Sequence, residues 1–152
     1  MLNKILFSAV CIFVIACTPK DDSLTPELSQ HNKNMLAYYS YLEQQAEGEY
    51  VTFWGDSFIQ SLLVNNVSPS AINLGIGTET SFGLLDRIKR SPKLIKHSSK
   101  IFIHIGVNDL KHSVLPETTA SNIFMIVEHI RQQSDAPIFI NELFPVDETK
   151  TR

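Results

Sequence analysis

The sequence predicts an α/β fold built on a parallel sheet with helices on both faces, and three observations carry that prediction. Short apolar runs rich in aromatic and β-branched residues alternate with stretches whose apolar residues recur at helical spacing. The connections between runs hold the right-handed crossover helices that parallel neighbours require. Polar motifs follow three of the runs directly: Gly55-Asp56-Ser57, Asn73-Leu74-Gly75-Ile76-Gly77 and Gly106-Val107-Asn108-Asp109. In an open parallel sheet ligands bind outside the carboxyl ends of the strands, so the three motifs are placed to converge on one site.

Taken in order, Thr25-Pro26-Glu27 predicts a helix start, with Thr as cap and Pro at the first helical position. Met35, Leu36, Tyr39 and Leu42 continue it as an apolar stripe that packs on the sheet, with a partner-binding helix as the alternative. Tyr50-Val51-Thr52-Phe53-Trp54 is a short buried strand, and residues 58–64 form the helix after it. Ser70-Ala71-Ile72-Asn73-Leu74 is the second strand. Residues 80–90 make a helix with Phe82, Leu85 and Ile88 on one side. Ile101-Phe102-Ile103-His104-Ile105 is the clearest strand of all. A helix over residues 116–133 shows Ala120, Ile123, Val127 and Ile130 as its core stripe. Pro137-Ile138-Phe139-Ile140-Asn141 is a fourth strand, and residues 147–152 are a polar run without a closing helix. The expected organisation is therefore a domain over residues 30–152 that lacks its C-terminal part.

A 152-residue chain with 43% hydrophobic and 19% charged residues has the composition of one globular domain. The net charge of −3, with no basic cluster longer than Arg87-Ile88-Lys89-Arg90, excludes the cationic stripe of a nucleic-acid binder. Lys4 precedes an apolar stretch, residues 5–16, that is short for a membrane span and fits a secretory signal over residues 1–16. The stretch ends in Val14-Ile15-Ala16-Cys17, which resembles a bacterial lipobox. That resemblance implies a lipid, with palmitate-like acyl chains, on Cys17 as the mature N-terminus; a buried structural cysteine is the alternative. Residues 17–29 then serve as a tether, rich in Pro, Asp, Ser and Thr. Thr18 after the cysteine, where Asp would signal retention, implies a bacterial envelope location with the outer membrane favoured in a two-membrane cell. Cys11 lies inside the signal, so no thiol pair remains for a disulfide after processing.

Ser57 falls at a strand-to-helix junction, where unpaired N–H groups and the helix dipole favour negative charge, as a tetrahedral oxyanion demands. The plain structural alternative is a helix cap. Asn108 follows a buried strand and a glycine, so its amide is positioned to aim a donor at the same point. A turn explains Gly106-Val107-Asn108-Asp109 equally well in isolation. Three coincident turns of these residue types are the less economical account.

With these blocks in place, the chain resembles the SGNH (GDSL-like) hydrolases. The matching residues are Gly55-Asp56-Ser57-Phe58, then Asn73-Leu74-Gly75-Ile76-Gly77-Thr78-Glu79-Thr80, then Gly106-Val107-Asn108-Asp109, and the resemblance covers about residues 50–146. It implies a flavodoxin-like three-layer α/β/α fold and ester hydrolysis on small-molecule, lipid or glycan substrates, with no cofactor. By the same resemblance Ser57 is nucleophile and oxyanion donor, and Asn108 a second donor. A backbone N–H in the second block supplies the remaining donor, and Gly75, Gly77 and Thr78 stay open for it. Thr78 stands where the family often has glycine; if that position needs positive φ, a β-branched residue is strained there.

The family's closing Asp-x-x-His does not occur. Asp109-Leu110-Lys111-His112 has the spacing but lies in the wrong loop, and a serine without a base is a poor nucleophile. His104 fits a satisfied core position or one just behind the site residues, His31, His97 and His129 fit surfaces or helices, and none shows metal-ligand spacing. The expectation is that the 152-residue form has little activity on simple esters. A non-catalytic lipoprotein that binds glycan or a partner shares every motif. A phosphate- or dinucleotide-binding domain is the third alternative, but Thr80 stands where the third fingerprint glycine belongs and the sequence holds no Walker loop.

Overall fold

Ser29 opens the first described helix by accepting a hydrogen bond from the Asn32 N–H, which satisfies one of the donors a helix start leaves open. The structure, a computed structural model, describes residues 28–143. The signal segment, Cys17, Thr25-Pro26-Glu27 and the run from 147 to 152 lie outside those residues. Helix α1 (Gln30–Gln45) thus begins five residues beyond the Thr25 signal.

The remaining elements are β1 (Tyr50–Gly55), α2 (Ser57–Gln60), β2 (Ala71–Gly75), α3 (Ser81–Lys89), α4 (Pro92–Lys96), β3 (Ser98–His104), α5 (Val107–Lys111), α6 (Pro116–Arg131) and β4 (Ile138–Ile140). The strands form one all-parallel sheet in the order β2-β1-β3-β4. The order reverses direction between β1 and β3, and it is outside the carboxyl ends of strands at such a switch point that doubly wound sheets bind ligands. Register places Gly55 beside both Gly75 and His104, so the three motif loops leave adjacent strands at one level.

Alternation along the strands gives two unequal faces. Trp54, Leu74, Ile101 and Ile103 point to the first face, where Tyr39, Leu84, Ile88, Leu94, Ile95, Ile126 and Ile130 of α1, α3, α4 and α6 bury them. On the other face Phe53 and Ala71 meet Ile59 of α2 and Val64 of a single 3-10 turn, Val64–Asn66. Phe53 stacks on Phe102 at 4.7 Å and Phe102 on Phe139 at 4.7 Å, with Phe139 still 43% exposed.

Several local expectations are corrected. The helix expected over 58–64 is one turn, because the Asn73 amide donates to the carbonyls of Ile59 (2.7 Å) and Leu62 (3.0 Å) and caps the chain there. In α3 the buried face runs through Ser81, Leu84, Leu85, Arg87 and Ile88, and Phe82 is exposed. In α6 it runs through Thr119, Asn122, Ile126 and Ile130 with Ile123 packed half-buried beside them, so of the expected stripe Ile130 and Ile123 face the core, Val127 is half-buried and Ala120 is exposed. Two of those residues are polar, and the apolar pattern alone did not reveal them. Helix α4, with Pro92 at its first turn, was not expected at all.

Candidate functional site

Strand β1 ends at Gly55 with φ +152°, a conformation that side-chain-bearing residues rarely adopt. A Cβ there would lie 2.0 Å from the His104 carbonyl oxygen, so only glycine lets β1 and β3 close at this level. Asp56 then turns the chain into α2, its Oδ1 accepting from the Phe58 N–H at 2.9 Å. Burial pushes the Asp56 carboxyl above its ordinary range, opposed by the Phe58 N–H and by nearby His104. Ser57 is the first residue of α2 and is exposed. Among the described residues neither its N–H nor its hydroxyl has a hydrogen-bond partner.

Gly75 lets β2 approach α2 closely, since a Cβ there would sit 2.2 Å from the Gln60 nitrogen. Its N–H goes to Asn73 Oδ1 at 3.0 Å. The Gly77 N–H goes to Gln60 Oε1 at 2.6 Å. The Thr78 N–H alone of the three has no acceptor among the described residues, and Thr78 is held at φ +65°. For a β-branched residue that backbone costs on the order of 1–3 kcal/mol and persists only where neighbours impose it.

Gly106 carries φ +127° and delivers Val107 into α5. Asn108 is half-buried and donates one amide hydrogen to the Glu79 carbonyl at 2.9 Å, which leaves its second hydrogen open. Asp109 is fully buried and has a different task. Its oxygens accept from the Ser81 N–H at 2.8 Å and the Ser81 hydroxyl at 2.5 Å, and Asn122 donates to that hydroxyl at 2.8 Å.

Behind the second block lies a buried ion pair that the sequence analysis missed. Arg87 donates from Nε and Nη2 to Glu79 at 2.9 and 2.5 Å, and its guanidinium lies 5.3 Å from the Tyr39 ring centroid and 5.1 Å from that of Trp54. Its Nη1 has no partner among the described residues. Burial raises the Glu79 carboxyl pKa, opposed by Arg87. Tyr39 donates to the Gly75 carbonyl at 2.8 Å, and burial pushes its phenol up to about 12. The available signal was Arg87 falling on the buried face of α3, next to Leu84 and Ile88.

The histidines divide. His104 is buried against the Phe58 ring at 4.6 Å and close enough to Asp56 to act on its carboxyl, while its Nδ1 has no partner among the described residues, so of its two readings the satisfied core position is the one that does not hold. His31 pairs through Nε2 with the Gln60 amide at 2.8 Å, which places it at the rim of the motif loops. His97 contacts the Gly48 carbonyl, and His112 ends α5 in an exposed position. No histidine among the described residues hydrogen-bonds Ser57.

Solved structures share this arrangement of strands and helices. AlinE4, an esterase of the SGNH-hydrolase family, superposes with a TM-score of 0.53 at 19% identity, over 62% of this chain and 59% of its own. The fold is that of the SGNH hydrolases. A Streptococcus pneumonia protein provisionally named a platelet activating factor matches with a TM-score of 0.67 at 21% identity, over 79% of this chain and 58% of its own. A provisionally named acylhydrolase from Bacteroides fragilis gives a TM-score of 0.60 at 22% identity, over 75% and 58%. The chain therefore spans less than two thirds of the length of these SGNH-fold structures. No protein-family model matches it, and no curated protein matches it.

Proposed function

We propose that this chain is a serine ester hydrolase of the SGNH type, with Ser57 as nucleophile. One observation carries the reading: at the carboxyl end of β1, one of the two central strands, an exposed serine opens a helix with its own N–H unengaged among the described residues, in a fold shared with esterases. Ser57 Oγ attacks the ester carbonyl carbon, and the carbonyl oxygen takes up the negative charge. The Ser57 N–H, the Thr78 N–H and the second amide hydrogen of Asn108 stabilise it. Removing one such donor typically costs roughly 3–4 kcal/mol of transition-state stabilisation. The alcohol departs, and water releases the acyl group from Ser57. The base that takes the serine proton lies, in this reading, outside the described residues.

The second-block donor is assigned to Thr78 because Gly75 and Gly77 already direct their N–H groups at Asn73 and Gln60. Gly55, Gly75, Gly77 and Gly106 shape the loops, while Asp56 and Asp109 hold them. The chain is lipid-anchored through Cys17 in a bacterial envelope, the outer membrane where there are two. Its substrates are ester-bearing small molecules, lipids or glycans.

A fluorophosphonate tests the reading on the native protein extracted from its membranes. A single adduct on the peptide carrying Ser57, lost in Ser57→Ala, is the expected result; no adduct, or one elsewhere, sinks it. The intact mass of the same sample should be that of a chain starting at a lipid-bearing Cys17. A chain starting at Met1 without lipid would remove the anchor.

A further inference from the structure

We propose that Asn32, in the first turn of α1, is a positioning residue that aims the Thr78 N–H into the site. The proposal rests on the reading of that N–H as an oxyanion donor. In a trans peptide the C=O and N–H of one unit point in opposite directions, so fixing the Gly77 carbonyl fixes where the Thr78 N–H points. Asn32 does this from one side. Its Nδ2 donates to the Gly77 carbonyl at 3.2 Å and to Thr78 Oγ1 at 3.4 Å, from a side chain only 7% exposed. The amide is itself oriented, because its Oδ1 accepts from the Ser29 hydroxyl at 2.5 Å.

Gln60 holds the same loop from the other side. Its Oε1 takes the Gly77 N–H at 2.6 Å, and its Nε2 meets His31, the neighbour of Asn32, at 2.8 Å. The two amides thus grip Gly77 at its N–H and its C=O. That grip explains how a threonine stays at φ +65°: rotation of the Gly77–Thr78 peptide would relieve the strain and swing the Thr78 N–H away, but it would break the Asn32 bonds. The clamp does for Thr78 what the freedom of glycine would otherwise allow.

The test is a titration of the full chain with phenylboronic acid, which adds to a serine oxygen as a tetrahedral boronate, followed by the backbone amide resonances of Ser57 and Thr78. In the wild type both amides should move downfield. In Asn32→Asp, which keeps the size and the Ser29 contact but loses the donor, Ser57 should still move and Thr78 should not. Affinity should fall by roughly 10- to 100-fold, the worth of a hydrogen bond to a charged oxygen. Gln60→Met should act in the same direction and carries the test if Asn32→Asp does not fold. If neither amide moves in the wild type, the reading of Ser57 fails and the clamp falls with it. If Ser57 moves and Thr78 does not in the wild type, Ser57 stands and the clamp is overturned. If both still move in the variants at unchanged affinity, the clamp is overturned while the oxyanion donors stand.

Discussion

Ser57 and Ser81 are each the first residue of a helix, each follows a capping residue, and the sheet delivers both from adjacent strands, yet they end in opposite states. Ser81 is fully buried, with its N–H and hydroxyl both directed at Asp109 and its hydroxyl oxygen accepting from Asn122. Ser57 is exposed, with both groups unengaged among the described residues. The difference teaches that residue type and helix position do not separate a buried brace from a serine left unengaged. What separates them is whether the fold supplies a partner: Asp109 and Asn122 satisfy Ser81, and nothing comparable faces Ser57 among the described residues.

The largest test of this contrast is on the brace side. Arg87→Met leaves Glu79 buried without its cation and should cost roughly 3–5 kcal/mol in urea unfolding. A loss under 1 kcal/mol would mean that Glu79 is neutral there and the ion pair is not part of the brace. Asp109→Ala strands the Ser81 donors and should cost at least about 2 kcal/mol, whereas Ser57→Ala should stay within about 0.5 kcal/mol of the wild type. Comparable losses at the two sites would break the contrast outright.

Thr78→Gly removes strain of about 1–3 kcal/mol but adds roughly 0.5–1 kcal/mol of chain entropy, so its melting temperature should equal or exceed that of the wild type. A clear drop would show that the threonine side chain holds the loop. The smallest effect expected is on pH dependence. Asp56 has a folded-state pKa raised by burial, so the folded protein keeps this proton to higher pH than the unfolded chain. Its contribution to stability is full below the ordinary carboxylate range, about pH 4, and is lost as pH rises through the folded value. Glu79 carries the same sign. Unfolding midpoints should therefore decline from about pH 4 upward, and less steeply in Asp56→Asn, which retains a capping side chain. An unchanged slope in that variant would place the titration elsewhere.

The strands and the three polar blocks were legible because they depend on local pattern: Tyr50 to Trp54 and Ile101 to Ile105 are aromatic and β-branched, and the blocks follow them directly. What was hidden depends on distant side chains. The single turn of α2 is set by Asn73, which sits on the next strand and binds the carbonyls that would have continued the helix. The buried face of α6 takes in two polar positions that spacing passes over, Asn122 and Thr119, and Asn122 reaches Ser81, forty-one positions earlier. Hydrophobic spacing scores both as solvent-facing. Which of Gly75, Gly77 and Thr78 keeps an unengaged N–H was hidden for the same reason: the two glycine N–H groups are engaged by Asn73 and Gln60, and only three-dimensional placement shows it.

Ser29 and Asn32 lie at the very start of the described chain, in the turn that also grips Gly77. Whatever is joined immediately before that turn pulls on it directly. A fusion partner, affinity handle or immobilising linker attached at Ser29 without slack would load the Gly77–Thr78 peptide before it loaded any strand, whereas the exposed surface of α6 offers an attachment point remote from that load path.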